Sequence, residues 1–143
     1  MVMGKKEQTE NVAENNRCSR SKIAMIDVDK VVAKSSSVKK LKAEHDKKNK
    51  ELEGWLKNVK KQIEKPDSRD VRDKLIRRYD KEFTLKKEEI SKEFKEKLKT
   101  VNEEVTSQIS AIALKNNYDI VLSKAVVVFG CDDITELIEK QIK

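Results

Sequence analysis

Pro66 is the chain's only proline, and it stands between two long helical patterns whose repeats differ. Upstream, Val38, Leu41, His45, Lys48, Leu52, Trp55, Val59 and Gln62/Ile63 recur at alternating steps of three and four. That is a heptad seam in which His45 and Lys48 are the polar occupants. Downstream, Tyr79, Ile90, Val101 and Ile112 recur at steps of eleven, as do Phe83, Phe94 and Val105, with Leu98 and Ile109 as a third row. An eleven-residue repeat drifts around a helix in the opposite sense to a heptad. Proline disfavours helix at the residue before it, and Asp67 or Ser68 offers a cap to the helix that follows. The pattern predicts an antiparallel helical hairpin over 38–115 with its tip near 65–69. Because the repeats wrap oppositely, the hairpin is expected to be splayed or thinly packed over part of its length. At 1.5 Å per residue, a second helix from about Arg69 to Lys115 is roughly 65–70 Å long.

Composition agrees with such an arm. Of 143 residues, 41% are charged and only 4% aromatic, with three glycines. So little apolar material suits solvated helices that each bury one stripe, rather than a compact globule. The net charge of +7 arises from 33 basic and 26 acidic residues that are interleaved. It implies a mild field that attracts anionic partners, not the single-sign block of a nucleic-acid-binding arm. Cys18 and Cys131 lie far apart and His45 is the only histidine, short of the four ligands of a structural zinc site, so no metal is expected. The simplest reading of the cysteines is two unpaired thiols. No stretch approaches the ~20 apolar residues of a membrane span. No apolar run follows Lys5 and Lys6, so the sequence shows no signal peptide. That leaves the cytoplasm, or an exported form without its leader. No phosphate-binding loop implies ATP, no cofactor motif is present, and Asp27 and Asp29 lack a pocket or an orienting partner. The chain is expected not to be an enzyme.

The two ends of the chain read differently from the arm. Residues 1–21 are expected to form a disordered polar tail. Lys22 to Val28 is apolar and β-branched enough for a strand. Asp27 and Asp29 then lead as caps into a short helix from Lys30 to Lys34, and Ser35-Ser36-Ser37 offers a hydroxyl N-cap to the first long helix. Past a left-handed cap at Asn116-Asn117, two more strands are expected, Asp119–Leu122 and Ala125–Phe129, joined by a tight Ser123-Lys124 hairpin. Asp133-Ile134-Thr135-Glu136 resembles a capping box, with Ile134, Leu137, Ile138 and Ile142 as the apolar face of a last helix. The expected class is α+β: a small three-stranded β-base from 22–37 and 116–143, with the hairpin inserted between the first and second strands. Such a base buries too little to stand alone, and Val126–Phe129 would leave an apolar edge, so self-association is expected. The residues expected to build the shared base are Ile23, Met25, Ile26, Ile120, Leu122, Val126, Val128 and Phe129.

This order of elements resembles the Skp/OmpH family of periplasmic chaperones. The likeness is carried by Lys22-Ile23-Ala24-Met25-Ile26-Asp27, by Tyr118-Asp119-Ile120-Val121-Leu122-Ser123-Lys124 with Ala125–Phe129, and by Asp133-Ile134-Thr135 entering the last helix. It spans Lys22 to Lys143, and the link from Phe129 to Asp133 is shorter than is usual in the family. The resemblance implies a homotrimer whose strands share one base, with three arms around a cavity. It implies a periplasmic, ATP-independent holdase for unfolded outer-membrane β-barrel proteins. The basic field extends the expected partners to anionic lipid head groups. Client contacts are expected from the arm residues Lys57, Lys60, Lys61, Lys65, Arg69 and Arg72. The alternative is a basic coiled coil that binds nucleic acid or acts as a scaffold; specific nucleic-acid recognition would need stacking aromatics or a one-sign face, and both are weak in this sequence.

Overall fold

The computed structural model describes residues 21–143, so Cys18 and all but the last residue of the expected polar tail lie outside it. In chain order the elements are β1 (Ile23–Ile26), α1 (Val28–Lys34), α2 (Ser36–Glu64), α3 (Arg69–Lys115), β2 (Ile120–Ser123), a 3-10 turn (Lys124–Val126), β3 (Asp132–Asp133) and α4 (Thr135–Gln141). The chain is therefore mostly helical, with a small three-stranded sheet and both long helices inserted between β1 and β2. The long helices follow the periodic patterns closely, and the break falls at Lys65–Ser68 around Pro66. Packing divides the chain into two units. One contains the described residues up to Lys34 with Val105–Ile142, and the other Ser35–Glu104.

In the first unit, the sheet order is β2-β1-β3, and both neighbours run parallel to β1. Ile23 pairs with Ile120, Ala24 with Val121, Met25 with Leu122 and Ile26 with Ser123. Side chains alternate across the sheet. Ala24 and Ile26 therefore face a core completed by Val31, Ala113, Ile134 and Ile138, with Ile109, Ile112, Tyr118, Val121, Leu137 and Ile142 packed around it. The apolar face expected for the last helix is thus the face that is used.

The end of α3 is closed by asparagine as the sequence suggests. Asn117 has φ 65°, the Tyr118 amide donates to the Ala113 carbonyl at 3.0 Å, and the Asn117 amide donates to the Leu114 carbonyl at 3.0 Å. This pair of bonds around a left-handed residue satisfies carbonyls that a helix C-terminus leaves open.

The third strand is not where β-propensity places it. Ala125–Phe129 is no strand; Lys124–Val126 forms a 3-10 turn, and the strand beside β1 is Asp132–Asp133. Ser123-Lys124 is accordingly no hairpin. A two-residue hairpin joins antiparallel neighbours, whereas β2 and β3 lie on opposite sides of β1 and run the same way, which demands a crossing segment. Residues 124–131 supply it, bending at Gly130 with φ 97°.

The second unit is the helical hairpin up to Glu104. Ser35 occupies the N-cap of α2 with an extended backbone, but its hydroxyl caps nothing. The Oγ is buried and has no hydrogen-bond partner, so the expected hydroxyl cap is absent. Of the α2 seam, Val38, Leu41 and Val59 are buried. At the tip, Arg72 donates to the Pro66 carbonyl at 2.8 Å.

Candidate functional site

Two surfaces stand out, one in each unit. On the sheet, the register that buries Ala24 and Ile26 turns Ile23, Met25, Ile120 and Leu122 to the opposite face. That face is only partly covered: Ile120 is 42% exposed, Ile23 and Leu122 are each 37% exposed, and Met25 is half-buried. On the crossing segment Val126, Val128 and Phe129 are exposed as well, the last two at 95% and 89%. Of the eight residues expected to build a shared base, only Ile26 is spent on the chain's own core; Met25 is half-buried and the other six are exposed. Exposed apolar residues clustered on this scale mark an interaction site, since single exposed leucines or valines carry no such meaning.

A polar network holds the strands in place. Thr135 Oγ1 accepts the Asp27 backbone amide at 2.9 Å and donates to Asp133 Oδ1 at 2.5 Å. The same carboxylate oxygen accepts the Thr135 amide at 3.0 Å, but the N-cap residue is Ile134 and makes no side-chain cap, so the expected capping box led by Asp133 does not form. Lys124 reaches Asp133 Oδ2 at 3.4 Å. The hydroxyl of Thr135 foremost, then its amide and Lys124, hold the Asp133 carboxyl below the usual aspartate range. At the other end of the sheet, the Lys22 amide donates to Asp119 at 2.9 Å, and the Lys22 ammonium lies 4.4 Å from the centre of the Tyr118 ring. Desolvation, and then the hydrogen bond from its hydroxyl to Asp132, push the Tyr118 phenol up. Asp27 also accepts the Lys30 amide at 3.3 Å, which is the capping role expected of it.

An open groove of about 670 Å³ runs beside this network, lined by Lys30, Lys34 and Lys124 but also by Asp27, Asp133, Glu136 and Glu139. Charges of both signs line it in similar number, and Lys124 and Asp133 are paired with each other.

In the hairpin, Lys57, Lys60, Lys61, Lys65, Arg69 and Arg72 are all exposed. Apart from the Arg72 contact to Pro66, none of their side chains has a hydrogen-bond or ion-pair partner among the described residues. Val71, Ile76 and Leu85 interrupt this polar surface as exposed apolar side chains. Trp55 packs within the hairpin: it stacks on Phe83 at 6.4 Å between centroids and meets the edge of Tyr79 at 6.1 Å, with Lys86 over its ring at 5.5 Å.

The sequence pattern did not disclose a four-residue ionic ladder between the helices. Lys48 pairs with Glu93, Lys97 with Glu44 at 2.6 Å, and Lys97 with Glu93 at 3.4 Å. His45 lies against Phe94 at 4.2 Å. Lys48 and then Lys97 hold Glu93 below the ordinary glutamate range, Lys97 does the same for Glu44, and Glu44 foremost raises Lys97. The polar seam positions His45 and Lys48 were the available signal. Their partners become visible only once the helix register is known.

No described helix is long and apolar enough to cross a membrane. The family model described as outer membrane protein (OmpH-like) matches residues 22–142. No curated protein matches the chain significantly.

Proposed function

The chain belongs to the OmpH-like family, and from that premise we propose that it is an ATP-independent holdase that keeps unfolded outer-membrane β-barrel proteins from aggregating in the periplasm. Three copies share their sheets as one base, and the three hairpins enclose the client. The single observation that carries this reading is the partly exposed apolar face of Ile23, Met25, Ile120 and Leu122 together with exposed Val126, Val128 and Phe129 on the crossing segment. A monomer with that surface exposed would aggregate through it. Other copies of the same chain, carrying the same face, can cover it without a further partner.

Holding an unfolded chain requires apolar contact that is weak and repeated, with charge to draw the client in and keep the complex soluble. The hairpin has both. Val71, Ile76 and Leu85 are sparse apolar points, and Lys57, Lys60, Lys61, Lys65, Arg69 and Arg72 place apolar stems beneath charged heads. The same cations would attract anionic lipid head groups. No covalent chemistry is required of any residue, and the reading is of a chaperone rather than an enzyme.

The test is light scattering of an outer-membrane β-barrel protein diluted from urea, with the full chain added at one trimer per client. The reading expects scattering to be suppressed without nucleotide. Unchanged scattering, together with tight duplex DNA binding that survives at about 200 mM salt, would overturn it in favour of a nucleic-acid-binding coiled coil.

A further inference from the structure

The ionic ladder sits where the seam of α2 turns polar. Trp55 and Phe83 mark a level at which the apolar stripes of α2 and α3 face each other. Ten residues toward the start of α2, the seam carries His45 and Lys48 in place of leucine or valine, and His45 still meets Phe94 of the eleven-residue row at 4.2 Å. Opposite them α3 presents Glu93, Phe94 and Lys97.

We propose that Glu44, Lys48, Glu93 and Lys97 form an ionic clasp that holds the middle of the hairpin closed where the α2 seam is polar. Glu93 is its centre, because it is paired to Lys48 across the hairpin and to Lys97 one turn further along its own helix. Lys97 carries the chain of contacts back across to Glu44. The Phe94 ring lies between the two cross-links and is covered by His45, which is the only aromatic contact at this level among the described residues. The clasp differs in kind from the contacts on either side of it. Toward the tip, the Trp55 cluster and buried Val59 are held by apolar burial; toward the start of α2, Val38 and Leu41 are buried. Salt leaves apolar burial intact but screens half-exposed ion pairs such as these. The hairpin is therefore two apolar segments joined by a screenable one. This holds whatever the chain binds.

Hydrogen–deuterium exchange of the full chain tests the clasp. Between low salt and about 1 M sodium chloride, where the Debye length is roughly 3 Å, amides over 44–52 and 90–97 should exchange several-fold faster. Amides around Val59 and Phe83 should not change. Glu93→Gln at low salt should reproduce the effect of high salt. Inverting all four charges together (E44K, K48E, E93K and K97E) preserves every pairing and should restore protection. Salt-independent exchange over 44–52 in the unmodified chain would overturn the proposal, and so would equal protection in the Glu93→Gln variant. The unmodified chain alone decides the first outcome, even if a variant folds poorly.

Discussion

Thr135 Oγ1 accepts the backbone amide of Asp27 at 2.9 Å, tying together residues 108 positions apart in the chain. One hydroxyl thus joins the point where β1 passes into α1 to the start of the last helix. It does so while donating to Asp133, so a single side chain aligns both ends of the polypeptide. Thr135→Val keeps the shape but leaves the Asp27 amide unpaired and takes a donor from Asp133. The expected loss is about 1–3 kcal/mol, read as a lower urea midpoint. Thr135→Ser should recover most of it.

Asp133 gives the same region a dependence on pH. Its folded-state pKa lies below the unfolded value because Thr135 and Lys124 favour the carboxylate. The stabilisation is therefore complete above the ordinary aspartate pKa of about 3.9, and it is lost as pH falls through the lower folded value. Urea midpoints measured from neutral to acid pH should show Asp133→Asn destabilising the protein most near pH 7. The gap to the unmodified chain should narrow as acid protonates Asp133.

Asn117 stands at φ 65°, a conformation that glycine adopts freely and β-branched residues resist. Asn117→Gly should leave the thermal midpoint unchanged or slightly raised. Asn117→Val should lower stability by about 1–2 kcal/mol in thermal unfolding followed by circular dichroism.

The hairpin was largely legible in the sequence. Its helices carry many repeats, and Pro66 marks the break without competition, so Arg69–Lys115 is read from the pattern with the limits it has in the structure. Asn117 was legible for the same reason, because few residues accept a left-handed backbone. Ala125–Phe129 was misread for a different reason. Strand propensity measures how well side chains fit a half-buried pleated surface, but not which surface. Beside β1 that position goes to Asp132–Asp133, which has little strand propensity and is held by the hydrogen bond from the Ile134 amide to the Met25 carbonyl and by the Thr135 network. Valines 126 and 128 and Phe129 are left outside the chain's own sheet, where the trimer reading gives them a use. Among the proposed base residues, Ile26 looked no different in the sequence from Ile23. Only the register shows that one is consumed internally and the other left exposed. The ionic ladder was half legible: Lys48 was visible as a polar occupant of the seam, while Glu93 and Lys97 could not be matched to it without the register.

The most direct measurement is sedimentation equilibrium of the full chain beside a Val128→Asp/Phe129→Asp variant. Both residues are almost fully exposed within one copy, so the substitutions disturb no internal packing. If other copies of the chain cover the apolar face, the unmodified protein sediments as three times its 16.5 kDa subunit across the concentration range, and the variant dissociates. An unmodified chain that stays monomeric and soluble throughout would contradict the account.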